Sequence, residues 1–409
     1  MTITRTVVLA IEEHPALKET LDEAAAAYHL LSEVAFSEGL SSRYKLHKAA
    51  YAEVKAHTGL TAQMTCSAIR KVAAAYKSMK SNKRLPSEPA RFEKRCLDLE
   101  GGSRGRDFRI YPQKSIVSVS TVEGRKKLAF RCGDYQHRYL QSPEWTIQAA
   151  KLLYKRRRKG YRYELHVAVV RKEPEQRAGG VLGVDAGRRY LAVASTGRDA
   201  HFFPAGHLKP RKEHFRRIRG RLKSKGTRSS TRTFIRVAGR EARLTLDMQH
   251  CTAKELVKLA LDSGCGAIAV ERLNGIRERT GARGRKARYH HGTWAYARFL
   301  GILRYKARGA GLEVIEVDPA NTSCACNNCG CIDKASRKGL SFNCRQCGYS
   351  LHADLSAARN IRLRAISDRQ VSAGDGPRSC GPEADSQENG KPTAWPSVHD
   401  PLSYRREPV

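Results

Sequence analysis

Gly180-Val-Leu-Gly-Val-Asp185-Ala-Gly187, followed by Tyr190-Leu-Ala-Val-Ala194, decides how the second half of this chain is read. Both are short apolar runs bounded by turn residues, and both read as strands. His201-Phe-Phe203 continues the meander. Working outward, a long helical stretch follows. Two buried-type strands come next, Gly266-Ala-Ile-Ala-Val-Glu271 and Gly311-Leu-Glu-Val-Ile-Glu-Val317, with a helix between them. A cysteine-rich insert then precedes a last helix, Asp354-Leu-Ser-Ala-Ala-Arg-Asn-Ile361.

Three antiparallel strands followed by α/β alternation is the element order of an RNase H-like sheet. In such a sheet the first and fourth strands are neighbours, and the last helix packs across their ends. Asp185 and Glu271 each terminate an apolar strand, and Asp354 opens the helix. Three acids far apart in the chain are therefore expected to converge. Converging carboxylates repel unless divalent cations join them, and Mg2+ prefers oxygen ligands of this kind. Two ions roughly 3.5–4 Å apart suit hydrolysis of a phosphodiester by in-line attack. Taken singly, an Asp at a strand end is a turn or cap residue. It is the ordered trio, with a metal-binding insert before its third member, that points to chemistry.

That insert holds Cys326-Asn-Asn-Cys329 and Cys344-Arg-Gln-Cys347, a Cys-x2-Cys, x14, Cys-x2-Cys array with Gly330 and Gly348 after the pairs. Four thiolates in two such knuckles make a closed tetrahedral Zn2+ site, structural rather than catalytic. Cys324 and Cys331 are surplus; either can stand in for a neighbour, although their spacing breaks the knuckle. Cys66, Cys96, Cys132, Cys251 and Cys265 read as packing residues. Six of twelve cysteines lie between Cys324 and Cys347, which is metal spacing rather than a disulfide framework. A reducing cytosol or nucleoid fits. Met1–Ala10 lacks the apolar core of a signal peptide, and no stretch approaches the ~18 apolar residues of a membrane helix.

The 409 residues carry 76 Lys+Arg against 40 Asp+Glu, a formal charge of +36. Such an excess repels itself unless a polyanion shares the surface, and DNA or RNA is the usual one. Between Ala205 and Thr245 fourteen residues are basic and two acidic, and from Arg277 to Arg308 ten are basic against Glu278 alone. Arg216, Arg217, Arg219, Arg221, Lys223 and Lys225 are the candidate phosphate contacts of a groove that positions a duplex without reading it. The histidines, including His290, His291 and His352, have no metal spacing.

The length suits two or three domains. Residues 4–10 read as a strand. Residues 13–80 read as helices broken near Gly39 and Gly59, with apolar stripes at Leu17, Leu21, Ala24, Tyr28 and Leu31 and at Ala68, Val72, Ala75 and Met79. From about 105 to 172 short alternating strands imply a small β-barrel. Before its last strand comes Tyr154-Lys155-Arg156-Arg157-Arg158-Lys-Gly-Tyr161, basic residues mixed with tyrosines. A charge run is usually a solvated face, but tyrosines on a β-surface suit a backbone with stacked bases. Residues 369–409, rich in Gly, Pro, Ser, Asp and Glu, read as a disordered tail.

At Gly183-Val-Asp185-Ala-Gly187, Glu271-Arg-Leu273 and Thr322-Ser-Cys-Ala-Cys326 through Cys347-Gly-Tyr-Ser-Leu-His-Ala-Asp354 to Ile361, the chain resembles the TnpB family. These are transposon-encoded, RNA-guided DNA endonucleases related to the type V CRISPR effectors. The resemblance implies a multidomain α+β chain. A wedge-type β-barrel with a helical recognition lobe (residues 1–177, lobe about 12–95) precedes a RuvC nuclease (178–368). A zinc-ribbon insert occupies about 321–352. It implies Asp185, Glu271 and Asp354 as the catalytic, Mg2+-binding triad, a guide RNA from the element's own end, double-stranded target DNA, and a role in element retention or homing. Family members are often called transposases, yet triad chemistry is phosphodiester hydrolysis. The rivals are a CRISPR-associated effector, a noncatalytic guided repressor, which the intact acids disfavour, and a guide-free nuclease.

Overall fold

The computed structural model describes residues 2–84, 86–92, 95–101, 105–157, 160–187, 189–206, 208–273 and 296–372. The chain divides into two compact units, Met1–Glu175 and Gln176–Val409.

In the first unit β1 (Thr2–Ile11) leads into three helices, α1 (Pro15–Ser37), α2 (Arg43–His57) and α3 (Ala62–Ser81). Pro15 presets the first turn of α1, where its missing N–H costs nothing, and His14 Nδ1 accepts from the Ala16 amide at 3.2 Å. The Thr61 hydroxyl caps α3 by accepting from Met64 N. Gly39, at φ +65°, allows the turn out of α1. Leu17, Leu21, Ala24, Tyr28 and Leu31 are all buried, as are Ala68 and Val72, so the 3–4 spacing marks the inner faces of α1 and α3. Ala75 and Met79 are only half-buried.

Seven strands follow the order β2-β6-β7-β1-β5-β4-β3: β2 (Cys96–Glu100), β3 (Phe108–Tyr111), β4 (Ile116–Thr121), β5 (Gly124–Arg131), β6 (Thr146–Arg157) and β7 (Gly160–Lys172) join β1. The sheet is a curled half-barrel. Among the described residues its edges β2 and β3 form no ladder, so the expected small barrel takes the form of a half-barrel. A bulge between Ile147 and Ala149 shifts the register of β6 against β7. α4 (Asp134–Gln141) also interrupts the region that reads as strands alone.

The second unit is built on five strands in the order β10-β9-β8-β11-β12: β8 (Gly180–Asp185), β9 (Tyr190–Ser195), β10 (Ala200–Pro204), β11 (Cys265–Glu271) and β12 (Glu313–Val317). β8, β9 and β10 pair antiparallel, while β11 runs parallel to both β8 and β12. α5 (Leu208–Lys225) and α6 (Arg228–Asp262) connect β10 to β11, and α7 (Tyr296–Gly309) precedes β12. β13 (Arg337–Lys338), β14 (Ser341–Asn343) and β15 (Ser350–His352) form the ribbon's small sheet, and α8 (Ala353–Ser372) closes the fold. α8 runs past the expected boundary at 368, and Arg369 in its last turn pairs with Glu313. The rest of the expected tail, 373–409, lies outside the described residues.

Strand periodicity splits the core in two. Leu182, Val184, Ile268 and Val270 pack with Leu256, Ala260, Phe299 and Leu303. Val181, Ala267 and Ala269 pack with Ile361 and Ala365 of α8. Both faces of β11 are thus covered, which is why its sequence is a continuous apolar run rather than an alternating one. α8 lies directly on β8: a Cβ on Gly183 would sit 2.1 Å from the Ala358 carbonyl oxygen. Only glycine admits that approach.

Candidate active site and metal centre

The parallel register places Val270 opposite Val184, so Asp185 and Glu271 emerge side by side where β8 and β11 end. α8 packs across β8 with Asp354 in its first turn, where the helix dipole favours a carboxylate. The three acids therefore gather at one end of the sheet.

Their electrostatics record the gathering. Burial pushes the Asp185 carboxyl up from its ordinary 3.8 to about 7, and the negative charges of Glu271 and Asp354 push the same way, against Arg337. Burial also raises Glu271. The hydroxyl of Thr322, which donates to Glu271 Oε1, opposes that rise, as do the charges of Arg337 and Arg364. Asp354 Oδ1 accepts from Arg337 at 2.9 Å, and Tyr296 donates to the Glu271 carbonyl. Crowded, desolvated carboxylates are the donor set that a hard divalent cation fits, since it replaces their mutual repulsion with attraction. The oxygens of the three acids do not all lie within 4.8 Å of one another. Among the described residues only the cysteine quartet brings three or more ligating atoms within 4.8 Å of one another.

A stability signature follows from Asp185. Its pKa in the folded chain lies above the ordinary value, so the folded state holds a proton that the unfolded state releases. The stability linked to that proton is full below pH ~4 and drains as pH rises through about 7. Asp185→Asn carries no such loss. In magnesium-free, zinc-replete buffer at pH 8 it should be more stable than the parent by up to ~4 kcal/mol, with the gap closing toward pH 4. Urea unfolding at the two pH values checks this; a gap independent of pH would remove Asp185 as its source.

The ribbon is better assembled. Cys326 and Cys347 sulfurs lie 3.7 Å apart, and those of Cys329 and Cys344 3.5 Å. Four thiolates at ~2.3 Å from Zn2+ have sulfurs ~3.8 Å apart by tetrahedral geometry. The quartet therefore fits zinc. Gly330 and Gly348, at φ +74° and +73°, supply the left-handed turn after each knuckle. The Tyr349 amide and then the Asn328 side chain hold the Cys347 thiol down at about 6, toward its ligating form. Of the surplus cysteines, Cys324 turns its sulfur to Asn321, 3.7 Å from the carbonyl, and Cys331 packs beside Cys344.

The basic candidates divide. On α5, Arg217, Arg221, Lys223 and Lys225 are exposed. Arg216 pairs with Glu213, and Arg219 reaches Glu241 at 2.9 Å, so the two acids of this stretch are spent on two of its arginines. Arg219 staples α5 to α6. In the first unit Lys155 lies 3.8 Å from Glu164, a fully buried carboxylate also held by Arg162 at 2.8 Å and His166 at 3.1 Å. Arg158, His290 and His291 lie outside the described residues, as do the side chains of Arg156, Arg157 and Tyr161. Sequence reading missed Thr322 and Arg337. Thr322 stood inside the quoted motif but carried no metal-type signal, and Arg337 was one arginine among many.

Residues 296–361 match the family described as Cas12f1-like, TNB domain. The chain is 40% identical over 118 residues to the CRISPR-associated endodeoxyribonuclease Cas12f1 of Sulfoacidibacillus thermotolerans, covering 29% of this chain and 26% of that protein. It is 31% identical over 125 residues to a TnpB-like protein of Methanocaldococcus jannaschii, covering 30% of this chain and 44% of that one. The matched stretch thus spans from about a quarter to under half of these curated relatives. The fold is similar to that of the protein in the cryo-EM structure of a Cas12f1-sgRNA-target DNA complex. The TM-score is 0.63 at 16% identity, over 85% of this chain and 82% of that one. It is also similar to the mini-RNA-guided endonuclease CRISPR-Cas_phi3, with TM-score 0.50 at 14% identity, over 90% and 92%. No helix among the described residues is long and apolar enough to cross a membrane. The motifs, the matched domain and the named relatives fit one family, the TnpB proteins and the type V effectors related to them.

Proposed function

We propose that this chain is an RNA-guided DNA endonuclease of a mobile element. In this reading, residues 178–368 form a RuvC-type, RNase H-like nuclease with the ribbon inserted at about 321–352. Residues 1–177 form a wedge-type sheet carrying a helical recognition lobe at about 12–95. Asp185, Glu271 and Asp354 hold Mg2+. When bound, two such ions supply the activation of water and the stabilisation of the leaving 3′-oxygen. The residues of the chain do the rest. The acids fix the site at the sheet end, Arg337 balances their charge, and the exposed cations of α5 hold phosphates in register. Guide pairing chooses the target, and the protein reads a short flanking motif.

One observation carries the reading. Asp185 and Glu271 end adjacent parallel strands, with Asp354 close enough for its charge to reach Asp185. The test is to purify the chain from its host, sequence the RNA that accompanies it, and challenge a plasmid library carrying the matching target. Discrete RNA and Mg2+-dependent cutting of matched plasmids are expected. Retention of that RNA should fall on the order of 10³-fold between ~50 and ~200 mM salt, if about six phosphates are neutralised. Recovery of no discrete RNA, or cutting blind to the guide, would overturn the proposal. The resemblance to a CRISPR-associated enzyme favours a second reading, a type V effector. The recovered RNA separates the two: a guide from the end of the element supports the first, and a repeat-derived guide the second.

A further inference from the structure

A chain of hydrogen bonds runs from the first cysteine knuckle to Glu271. Asn327 lies between Cys326 and Cys329. Its Nδ2 donates to Asn360 Oδ1 at 2.6 Å and to the Ser356 carbonyl at 3.2 Å, and its Oδ1 accepts from the Ser356 hydroxyl at 2.9 Å. Asn360 Nδ2 spends both protons inside the turn before the knuckle, on the carbonyls of Thr322 at 2.8 Å and Ala325 at 2.9 Å. The Thr322 hydroxyl has one proton and two acceptors in reach, Glu271 Oε1 and the Pro319 carbonyl at 3.1 Å. The carboxylate is the stronger acceptor. Thr322 and Ser356 are 1% and 0% exposed, so neither has water as an alternative partner.

We infer that Thr322 and Asn360 are positioning residues: they fix one oxygen of Glu271 against the zinc knuckle, so that the ribbon orients a metal-binding carboxylate of the acid site. This rests on the reading of Asp185, Glu271 and Asp354 as cation ligands and adds residues that touch no metal. The physical basis is a buried polar network whose members satisfy one another. Such a network is rigid when complete and strained when one member is removed. A ligating carboxylate held this way binds its ion better, and losing a supporting bond typically costs about 10–100-fold in affinity or activity.

The test compares Thr322→Val, which keeps shape and deletes the hydroxyl, with Thr322→Ser, which keeps the hydroxyl, and with Asn360→Ala. Three quantities are read: zinc content, Mn2+ affinity by calorimetry on the zinc-loaded chain, and the Mg2+ concentration that half-saturates cleavage. Thr322→Val should keep one zinc per chain, bind Mn2+ about tenfold more weakly and need about tenfold more Mg2+. Thr322→Ser should stay near the parent. In the double variant, Thr322→Val and Asn360→Ala should be less than additive, because both break one linkage. Parental Mn2+ affinity in Thr322→Val overturns the inference, and so does loss of zinc there, which would mark a merely structural role. If the unaltered chain binds no Mn2+ and cuts nothing, the acid-site reading itself fails, an outcome distinct from a relay that fails alone.

Discussion

Asp185→Ala is expected to lower Mg2+-dependent cleavage of matched DNA by at least ~10³-fold, while RNA retention and target binding stay within about twofold of the parent. The size follows from what a metal ligand supplies, as the proposed function makes Asp185. A metal ion contributes several kcal/mol of transition-state stabilisation, and each 1.36 kcal/mol is a factor of ten in rate. Asp185 ends β8 beside Glu271, and its side chain is not part of the apolar core of the sheet. Its removal also relieves desolvated negative charge, so the variant should fold at least as well as the parent. Single-turnover cleavage alongside RNA and target binding separates the two effects. Cutting at the parental rate would exclude Asp185 from the chemistry, and a matching loss of RNA would make the effect structural.

The second large effect is at the ribbon. Cys344→Ser should lose the zinc and unfold the segment from about 321 to 352, leaving the five-stranded sheet in place. Structural zinc sites hold their ion with an apparent ~10–16 kcal/mol, and in a segment this small that binding energy is folding energy. Inside the ribbon itself little else packs, although its first knuckle is hydrogen-bonded to α8. Its three strands are two or three residues long, and its core is Cys326, Phe342, Cys344 and Ala353. Metal analysis should read no zinc for this variant against one per chain for the parent. Hydrogen exchange should show faster amides in the ribbon with β8 and β11 still protected. Full zinc content in Cys344→Ser would mean that another thiol completes the site, and Cys331, packed beside Cys344, is the candidate.

How much was legible in the sequence differs between halves of the same site. Asp185 and Glu271 could be placed at strand ends because both faces of their strands are buried, which writes an unbroken apolar run that stops at the acid. The two knuckles were legible because a tetrahedral thiolate site demands two-residue spacing. α4 was not, because eight residues between strands write too short a helical period to stand out. Arg216 and Arg219 read as two more phosphate cations. Their pairing with Glu213 and Glu241 leaves Arg217, Arg221, Lys223 and Lys225 as the exposed ones.

Sequence by itself determined the order of strands and helices around the acids of the second unit, the thiolate quartet and the positive excess. These are local or compositional properties, written in neighbouring residues. Tertiary structure alone decided that Gly183 lets α8 lie on β8, that Arg337 reaches Asp354, and that Thr322 holds Glu271 through a network ending at Asn327. Those contacts join residues 17 to 175 positions apart. No periodicity or spacing records them, because a hydrogen bond depends on where two backbones come to rest.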